Sequence, residues 1–213
     1  MDASSRIYRA VFYARDRRQI KSAQRRDDLR LHLGCGRKIL EGWINIDSRS
    51  KPGALKMRLP RGLKRFDDGS ARYIYASHLL EHFEYPAAAL ELARQCHRIL
   101  RPGGALRVVV PGIEQIIRAY VRDDRAFFET QQRMHPASCT TKLEHLMYAL
   151  QQKGKHKYGY DFETMKKLLS QAGFERIVRS DCNGSEFEAL RIDYRTEKVD
   201  EGEFLSLYVD AIK

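Results

Sequence analysis

The residues best suited to bind a small molecule lie between Leu29 and Ser48. An apolar run ends in Gly34-Cys35-Gly36, and a second short apolar run ends in Asp47. A glycine turn after a buried strand lets a ligand approach without meeting a Cβ, and a carboxylate ending the next strand accepts two hydroxyl hydrogen bonds. This combination is typical of a nucleoside site. The third glycine of the dinucleotide fingerprint is replaced by Ile39, so the glycine pair alone also fits an ordinary turn.

A second motif with polar residues, His78-Leu79-Leu80-Glu81-His82, matches the H-x-x-E-H pattern of a class of zinc peptidases. Two histidines four residues apart on a helix can share a metal ion, and such a site needs a third ligand downstream. Here the motif closes an apolar strand, and Pro86 follows four residues later, so no helix that holds both histidines is expected. A zinc peptidase is therefore the weaker alternative, and we assign no metal ligands.

Strands and amphipathic helices alternate around these motifs, which predicts an α/β fold with a parallel sheet. The sequence favours a short strand near Leu55–Leu59 and a strand over Ala71–Ala76. Pro86 begins a helix that Arg101-Pro102-Gly103-Gly104 stops, and Ala105–Val110 is a strand buried on both faces.

The second half of the chain continues the same pattern. A helix is predicted from Ile113 to Arg133, and the capping box Thr141-x-x-Glu144 introduces a helix over Lys142–Gln152. Asp161 caps another helix that ends at Ala172-Gly173. Strands over Phe174–Arg179 and Phe204–Ile212 complete the pattern.

The composition describes a folded, basic protein of 213 residues with a formal charge of +11. Its four cysteines are far apart, so we expect free thiols and neither a disulfide framework nor a cysteine zinc site. No apolar run approaches a membrane span or the core of a signal peptide, and we therefore expect a cytoplasmic protein.

The first 26 residues hold eight basic residues against two acidic ones, a net +6. Ile7, Tyr8, Val11 and Phe12 recur at helical spacing, which predicts a short amphipathic helix with a basic rim. Such a helix either packs on the domain or docks on an anionic membrane surface. Nucleic acid is a weaker candidate partner, because a nucleic-acid arm usually lacks the apolar stripe. We divide the chain into a basic arm, residues 1–28, and one domain, residues 29–213.

Six segments together resemble one known family: LHLGCG, GWINIDS, DDGSARYIYASHLLEHF, LARQCHRILRPGGALRVVVPG, HKYGYDFETMKKLLSQAGF and EFLSLYVDAIK. They are similar to the class I S-adenosylmethionine-dependent methyltransferases, and more narrowly to a bacterial branch associated with cell-surface glycan synthesis. The resemblance implies a Rossmann-like, seven-stranded, mostly parallel sheet with helices on both faces and an antiparallel last strand. Only six residues separate Gly36 from Trp43, so the first helix of the wider family should be short or absent.

The resemblance also implies where S-adenosylmethionine binds. Gly34, Cys35 and Gly36 would line its methionine and ribose portion, and Asp47 would accept the ribose hydroxyls. Asp68 would lie near the adenine, and Ser77 would face the reacting methyl group from the end of the fourth strand.

Two histidines are candidates for the catalytic base. Methyl transfer to a hydroxyl needs a group that removes a proton near neutral pH, and histidine suits that role. His78 is the first candidate because it follows the fourth strand, beside the expected position of the methyl group. His156 is the second, because its segment KGKHKYGYD resembles the lid of the family's active site.

The sequence therefore predicts a methyltransferase that uses S-adenosylmethionine and O-methylates a saccharide or lipid-linked glycan. We expect it in the cytoplasm, with residues 1–26 able to hold it at the inner face of the membrane. A second alternative is a non-catalytic nucleotide-binding or membrane-docking protein that kept the fold and lost the activity.

Overall fold

The computed structural model describes residues 18–25, 27–194 and 205–213. Seven strands form one sheet: β1 (Arg30–Leu33), β2 (Ile44–Asp47), β3 (Ala54–Lys56), β4 (Ala71–Ser77), β5 (Leu100–Pro111), β6 (Arg176–Ser180) and β7 (Ser206–Ile212). Their order across the sheet is β3-β2-β1-β4-β5-β7-β6. β7 is antiparallel to both of its neighbours, whereas the pairs from β3 to β5 are parallel. The predicted Rossmann-like α/β sheet with an antiparallel last strand is confirmed.

The helices follow the predicted order with one correction. Residues 18–24 are helical and are labelled α1. The others are α2 (Ala87–Ile99), α3 (Ile113–Arg122), α4 (Arg125–Gln132), α5 (Lys142–Gln151) and α6 (Phe162–Gln171). The single helix predicted from Ile113 to Arg133 was wrong. Asp123 adopts a left-handed conformation, and the Asp124 side chain accepts a hydrogen bond from Phe127 N, so a new helix begins there.

The helix-start signals around α5 and α6 are confirmed. Thr141 and Glu144 form the reciprocal capping box that begins α5. The Asp161 side chain accepts a hydrogen bond from Thr164 N at 2.7 Å and begins α6.

One face of the sheet carries the main core. Alternate strand residues such as Ile74 and Val108 contribute to it, together with apolar residues of α2 and α6. Ile20 and Ala23 of α1 are buried in the same core, at 2% and 6% exposure. The predicted stripe of Ile7, Tyr8, Val11 and Phe12 lies outside the described residues, and the division at residue 28 stays a prediction.

The opposite face is covered chiefly by residues 182–194, which contain one short 3₁₀ helix, Glu188–Leu190. Tyr73, Tyr75 and Tyr208 form the strand side of this cluster. No helix lies between β1 and β2, as the short connection predicted. Among the described residues, no helix has the length and apolar character to cross a membrane.

Candidate active site

A cleft of about 940 Å³ opens at the carboxyl ends of β1 to β4. Parallel strands bring these ends to one edge of the sheet, where α/β folds bind ligands. The volume lies within the range of small-molecule sites. Its lining comes from five segments of the chain: Gly34 and Gly36; Asp47, Ser48, Arg49 and Lys51; Met57, Arg58, Leu59 and Arg61; His78, Leu79, His82 and Phe83; and Gly154, Lys155 and Lys157.

The glycine turn after β1 forms the floor of this cleft. Gly34 and Gly36 both have positive φ, +64° and +56°. A Cβ on Gly34 would lie 2.7 Å from Leu79 Cδ1, so that position excludes every larger residue without rearrangement. A Cβ on Gly36 would have only one neighbour within 4 Å, Gly34 O at 4.0 Å. The turn therefore leaves room for a ligand to approach the backbone closely.

Asp47 ends β2 beside this turn. Its Oδ2 accepts a hydrogen bond from Gly36 N at 2.9 Å, and its Oδ1 accepts one from Arg49 N at 2.8 Å. Lys51 Nζ lies 3.5 Å from Oδ2. These contacts fix the carboxylate, and each oxygen keeps lone-pair capacity for a further donor. A pair of vicinal ribose hydroxyls fits this arrangement.

His78 follows β4 at the opposite wall. Its φ of +50° is unusual for a residue with a side chain and turns the chain sharply out of the strand. Its Nε2 lies 3.3 Å from Ser206 Oγ, and its Nδ1 lies 3.4 Å from Glu81 Oε1. The structure thus brings His78 to the same cleft as Gly34, Gly36 and Asp47.

Two comparisons relate this chain to known proteins. Residues 48–108 match a family model described as a methyltransferase domain. A S-adenosylmethionine-dependent methyltransferase from Archaeoglobus fulgidus is 20% identical over 96% of this chain and 94% of its own, with a TM-score of 0.52, and it has the same fold. Another from Mesorhizobium loti is 18% identical over 87% of this chain and 90% of its own, with a TM-score of 0.46. The comparison with curated proteins found no match.

The match to a methyltransferase domain covers residues 48–108, and the chain has the fold of the S-adenosylmethionine-dependent methyltransferase from Archaeoglobus fulgidus. The glycine turn and Asp47 of this chain suit S-adenosylmethionine, because the turn lets a ligand approach without meeting a Cβ and the Gly36 N hydrogen bond fixes the carboxylate beside the turn. S-adenosylmethionine supplies a methyl group that is activated by its bond to a positively charged sulfur. The thioether that remains after transfer is a good leaving group. The protein must align the acceptor with that methyl group, exclude water and, for a hydroxyl acceptor, hold a base near it.

Cys35 and Ser77 are not among the residues that line the cleft. Cys35 is 1% exposed and Ser77 is 3% exposed. Burial raises the pKa of the Cys35 thiol, and the nearby Asp47 charge adds to that effect. Both side chains lie within the packed strand ends, so only the Cys35 backbone belongs to the turn. Their assignment to the cofactor stays a prediction.

Asp68 lies at the amino-terminal end of the parallel strands, opposite the cleft. It precedes β4, whereas the cleft is at the carboxyl end of that strand. Its side chain is 79% exposed and pairs with Arg98 near the end of α2. The structure therefore does not bring Asp68 to the cleft. Met57, Arg58 and Leu59, which directly follow β3, occupy the cleft wall instead.

His156 is buried behind the cleft wall, with its ring against that of His82. Its Nδ1 donates a hydrogen bond to Ala149 O at 2.7 Å, and its Nε2 lies 3.9 Å from Glu81 Oε1. Burial lowers the pKa of His156. His156 is not among the cleft-lining residues, unlike its neighbours Lys155 and Lys157.

Sequence reasoning missed the charge of the cleft. Among its lining residues, six cationic side chains face one carboxylate, Asp47: Arg49, Lys51, Arg58, Arg61, Lys155 and Lys157. They come from two basic stretches, residues 49–61 and 155–157, that are distant from each other in sequence. The sequence shows the charge of each stretch but not that the two line one cleft.

Proposed function

We propose that this methyltransferase O-methylates an anionic saccharide, such as a lipid-linked glycan of cell-surface polysaccharide synthesis. We place it in the cytoplasm, at the inner face of the membrane. The similarity of its motifs to the glycan-associated bacterial branch supports the saccharide class. The excess of cationic side chains in the cleft supports the negative charge of the acceptor, and this observation carries the proposal.

The cofactor alone does not account for six cations. S-adenosylmethionine carries a positive sulfonium and a positive ammonium against one carboxylate, so most of these cations would repel it or leave it unaffected. A phosphate or carboxylate on the acceptor gives them a role, because charge-assisted hydrogen bonds to such groups are strong. Lys155 and Lys157 lie on the wall formed by residues 154–157, next to His78 and His82 in the cleft lining.

His78 remains our candidate for the base that receives the acceptor's proton. It is the histidine that lines the cleft at the end of β4, and Ser206 and Glu81 contact its two ring nitrogens. A base in this position removes the proton as the new bond to the methyl group forms.

A methyl-transfer assay with labelled cofactor tests the acceptor class. A sugar phosphate, a uronic acid and a lipid-linked sugar phosphate are compared with neutral sugars and with a short RNA. We expect transfer to the anionic saccharides and much less to the neutral ones. Preference for neutral sugars or for RNA would contradict the proposal.

Charge variants sharpen the same test. Lys155→Gln should raise the KM for the anionic acceptor by about 10-fold, the effect of losing one charge-assisted contact of roughly 1.4 kcal/mol. Lys166→Gln, on the exposed side of α6 and outside the cleft lining, is the matched control and should leave KM unchanged. Equal effects of the two substitutions would show that overall charge, and not the cleft, attracts the acceptor.

A further inference from the structure

Glu81 is the most unusual polar residue of the described chain. Its side chain is 1% exposed, and neither carboxylate oxygen has a hydrogen-bond partner among the described residues. His78 Nδ1 and His156 Nε2 lie 3.4 Å and 3.9 Å from Oε1, beyond good hydrogen-bond distance. A buried carboxylate without hydrogen bonds is costly, and a bound cation beside it would offset that cost.

Two histidines near this carboxylate, His82 and His156, have the hydrogen bonds expected of metal ligands. His156 Nδ1 contacts Ala149 O at 2.7 Å, and His82 Nδ1 contacts Lys155 O at 3.0 Å. A carbonyl oxygen only accepts, so each Nδ1 carries the proton and each neutral ring keeps its lone pair on Nε2. A backbone carbonyl on the far nitrogen is the usual support of a metal-binding histidine.

We propose that Glu81, His82 and His156 bind a divalent transition-metal ion of the zinc type. One donor atom from each residue lies within 4.8 Å of the other two. Ligands about 2.0–2.2 Å from zinc lie roughly 3–3.5 Å apart, so small side-chain rotations close the site. Two imidazoles and one carboxylate also form the ligand set of catalytic zinc sites that keep an open position.

The backbone holds these ligands together although they are far apart in sequence. Glu81 O accepts a hydrogen bond from Lys157 N at 2.7 Å, which ties the 3₁₀ turn Leu80–His82 to the segment that carries His156. Tyr160 has a buried hydroxyl with no partner among the described residues, and burial, together with the nearby Glu81 charge, raises its pKa.

The arrangement differs from the zinc-peptidase reading of H-x-x-E-H. His78 directly follows β4 and is not part of the three-residue ligand group, which includes the distant His156 instead. His82 lines the cleft, so a metal ion held by it would lie beside the space that we propose for the acceptor. An acceptor hydroxyl bound there would be oriented and made more acidic. That role rests on the proposed function, whereas metal binding does not.

Metal binding is tested on the full-length protein after removal of metal with a chelator. Calorimetry with Zn²⁺, Mn²⁺ and Mg²⁺ should show one Zn²⁺ bound per chain, with Mg²⁺ the weakest because it prefers oxygen ligands. Glu81→Gln keeps the side-chain volume and removes the uncompensated charge, so the metal-free variant should melt no lower than the wild type. Its Zn²⁺ affinity should fall by more than about 100-fold, since loss of an outer partner alone costs 10- to 100-fold.

A second cluster, His135, Cys139 and His145, provides the matched control. Cys139→Ser should leave Zn²⁺ affinity unchanged if the metal binds at Glu81. Absence of Zn²⁺ binding to the wild type, or undiminished binding to Glu81→Gln, would overturn the proposal. So would loss of binding in Cys139→Ser alone. Cofactor binding is measured in the same samples, so that failure of the methyltransferase function is distinguished from failure of the metal site.

Discussion

Arg107→Met should be among the most destabilising single substitutions in this protein. Arg107 lies in β5, its side chain is 0% exposed, and it faces the Asp193 and Asp210 side chains, which are 1% and 4% exposed. All of its nitrogens donate hydrogen bonds: Nε to Asp193, Nη1 to Ser180 Oγ and Asp210 at 2.8 Å each, and Nη2 to Asp193 and to Asp181 O at 2.5 and 2.8 Å. Burial opposes the charge, but the two carboxylates outweigh it and raise the pKa of Arg107.

The magnitude follows from what the substitution leaves behind. Methionine fills much of the space but leaves two buried carboxylates without their cation. Breaking a buried ion pair in this way costs about 3–5 kcal/mol. Total stability of a domain is about 5–15 kcal/mol, so the loss is a large fraction. Asp210→Asn in the Arg107→Met background should recover part of it, because one of the two stranded charges is removed.

Urea unfolding followed by circular dichroism measures these differences. The midpoint of Arg107→Met should fall by more than about 1 M relative to the wild type. Arg176→Met is the matched control, because Arg176 pairs with Glu186 at the surface, where the side chains are 54% and 47% exposed. Its cost should stay below about 1 kcal/mol. Equal losses in the two variants would refute the reasoning that burial makes the Arg107 network decisive.

Three further predictions concern catalysis, pH and the N-terminal helix. His78→Ala should lower turnover by about 10²- to 10⁴-fold with cofactor affinity nearly unchanged, whereas Ser206→Ala should lose far less; normal turnover in His78→Ala would exclude it as the base. Burial, partly opposed by the hydrogen bond to Asn45, lowers the pKa of His32 to about 4 from 6.5. Its stabilising contribution is therefore present above pH 6.5 and is lost as the pH falls toward 4. At pH 5 the wild type should have lost about 2 kcal/mol that the non-titrating His32→Gln variant does not lose, and parallel pH profiles in urea unfolding would contradict this. Ile20→Ala should cost about 2–5 kcal/mol in the same assay, because Ile20 is 2% exposed in the main core; a cost near zero would place residues 18–24 outside the folded domain.

Local signals in the sequence predicted most elements of the fold. Periodicity and caps located β4, α2, α5 and α6, because those signals act within one turn or strand. The break between α3 and α4 was missed because the apolar spacing continues across Asp123, and only the cap at Asp124 reveals the new start. Asp68 was assigned from the family resemblance alone, and because it precedes β4 it lies at the amino end of that strand, away from the cleft.

The site was predictable only in part for the same reason. Gly34, Gly36 and Asp47 form a local pattern of two strands and a turn, and the structure brings all three to the cleft. The partners of Arg107, by contrast, are 86 and 103 residues away, and Glu81 meets His156 through a loop packed against it. Contacts of this kind depend on tertiary packing, which single-sequence patterns do not encode.

The most direct test of the account is calorimetric binding of S-adenosylmethionine to the wild type and to Asp47→Asn. Asparagine keeps the shape but loses the charge and one of the two acceptor oxygens, Oδ2, which accepts from Gly36 N, or Oδ1, which accepts from Arg49 N. Two weakened charge-assisted hydrogen bonds to the ribose amount to about 2–4 kcal/mol, so affinity should fall by roughly 30- to 1,000-fold. Tight binding by the wild type with that loss in the variant is the predicted result. Equal affinities, or no binding by the wild type at millimolar cofactor, would contradict the assignment of this cleft to the cofactor.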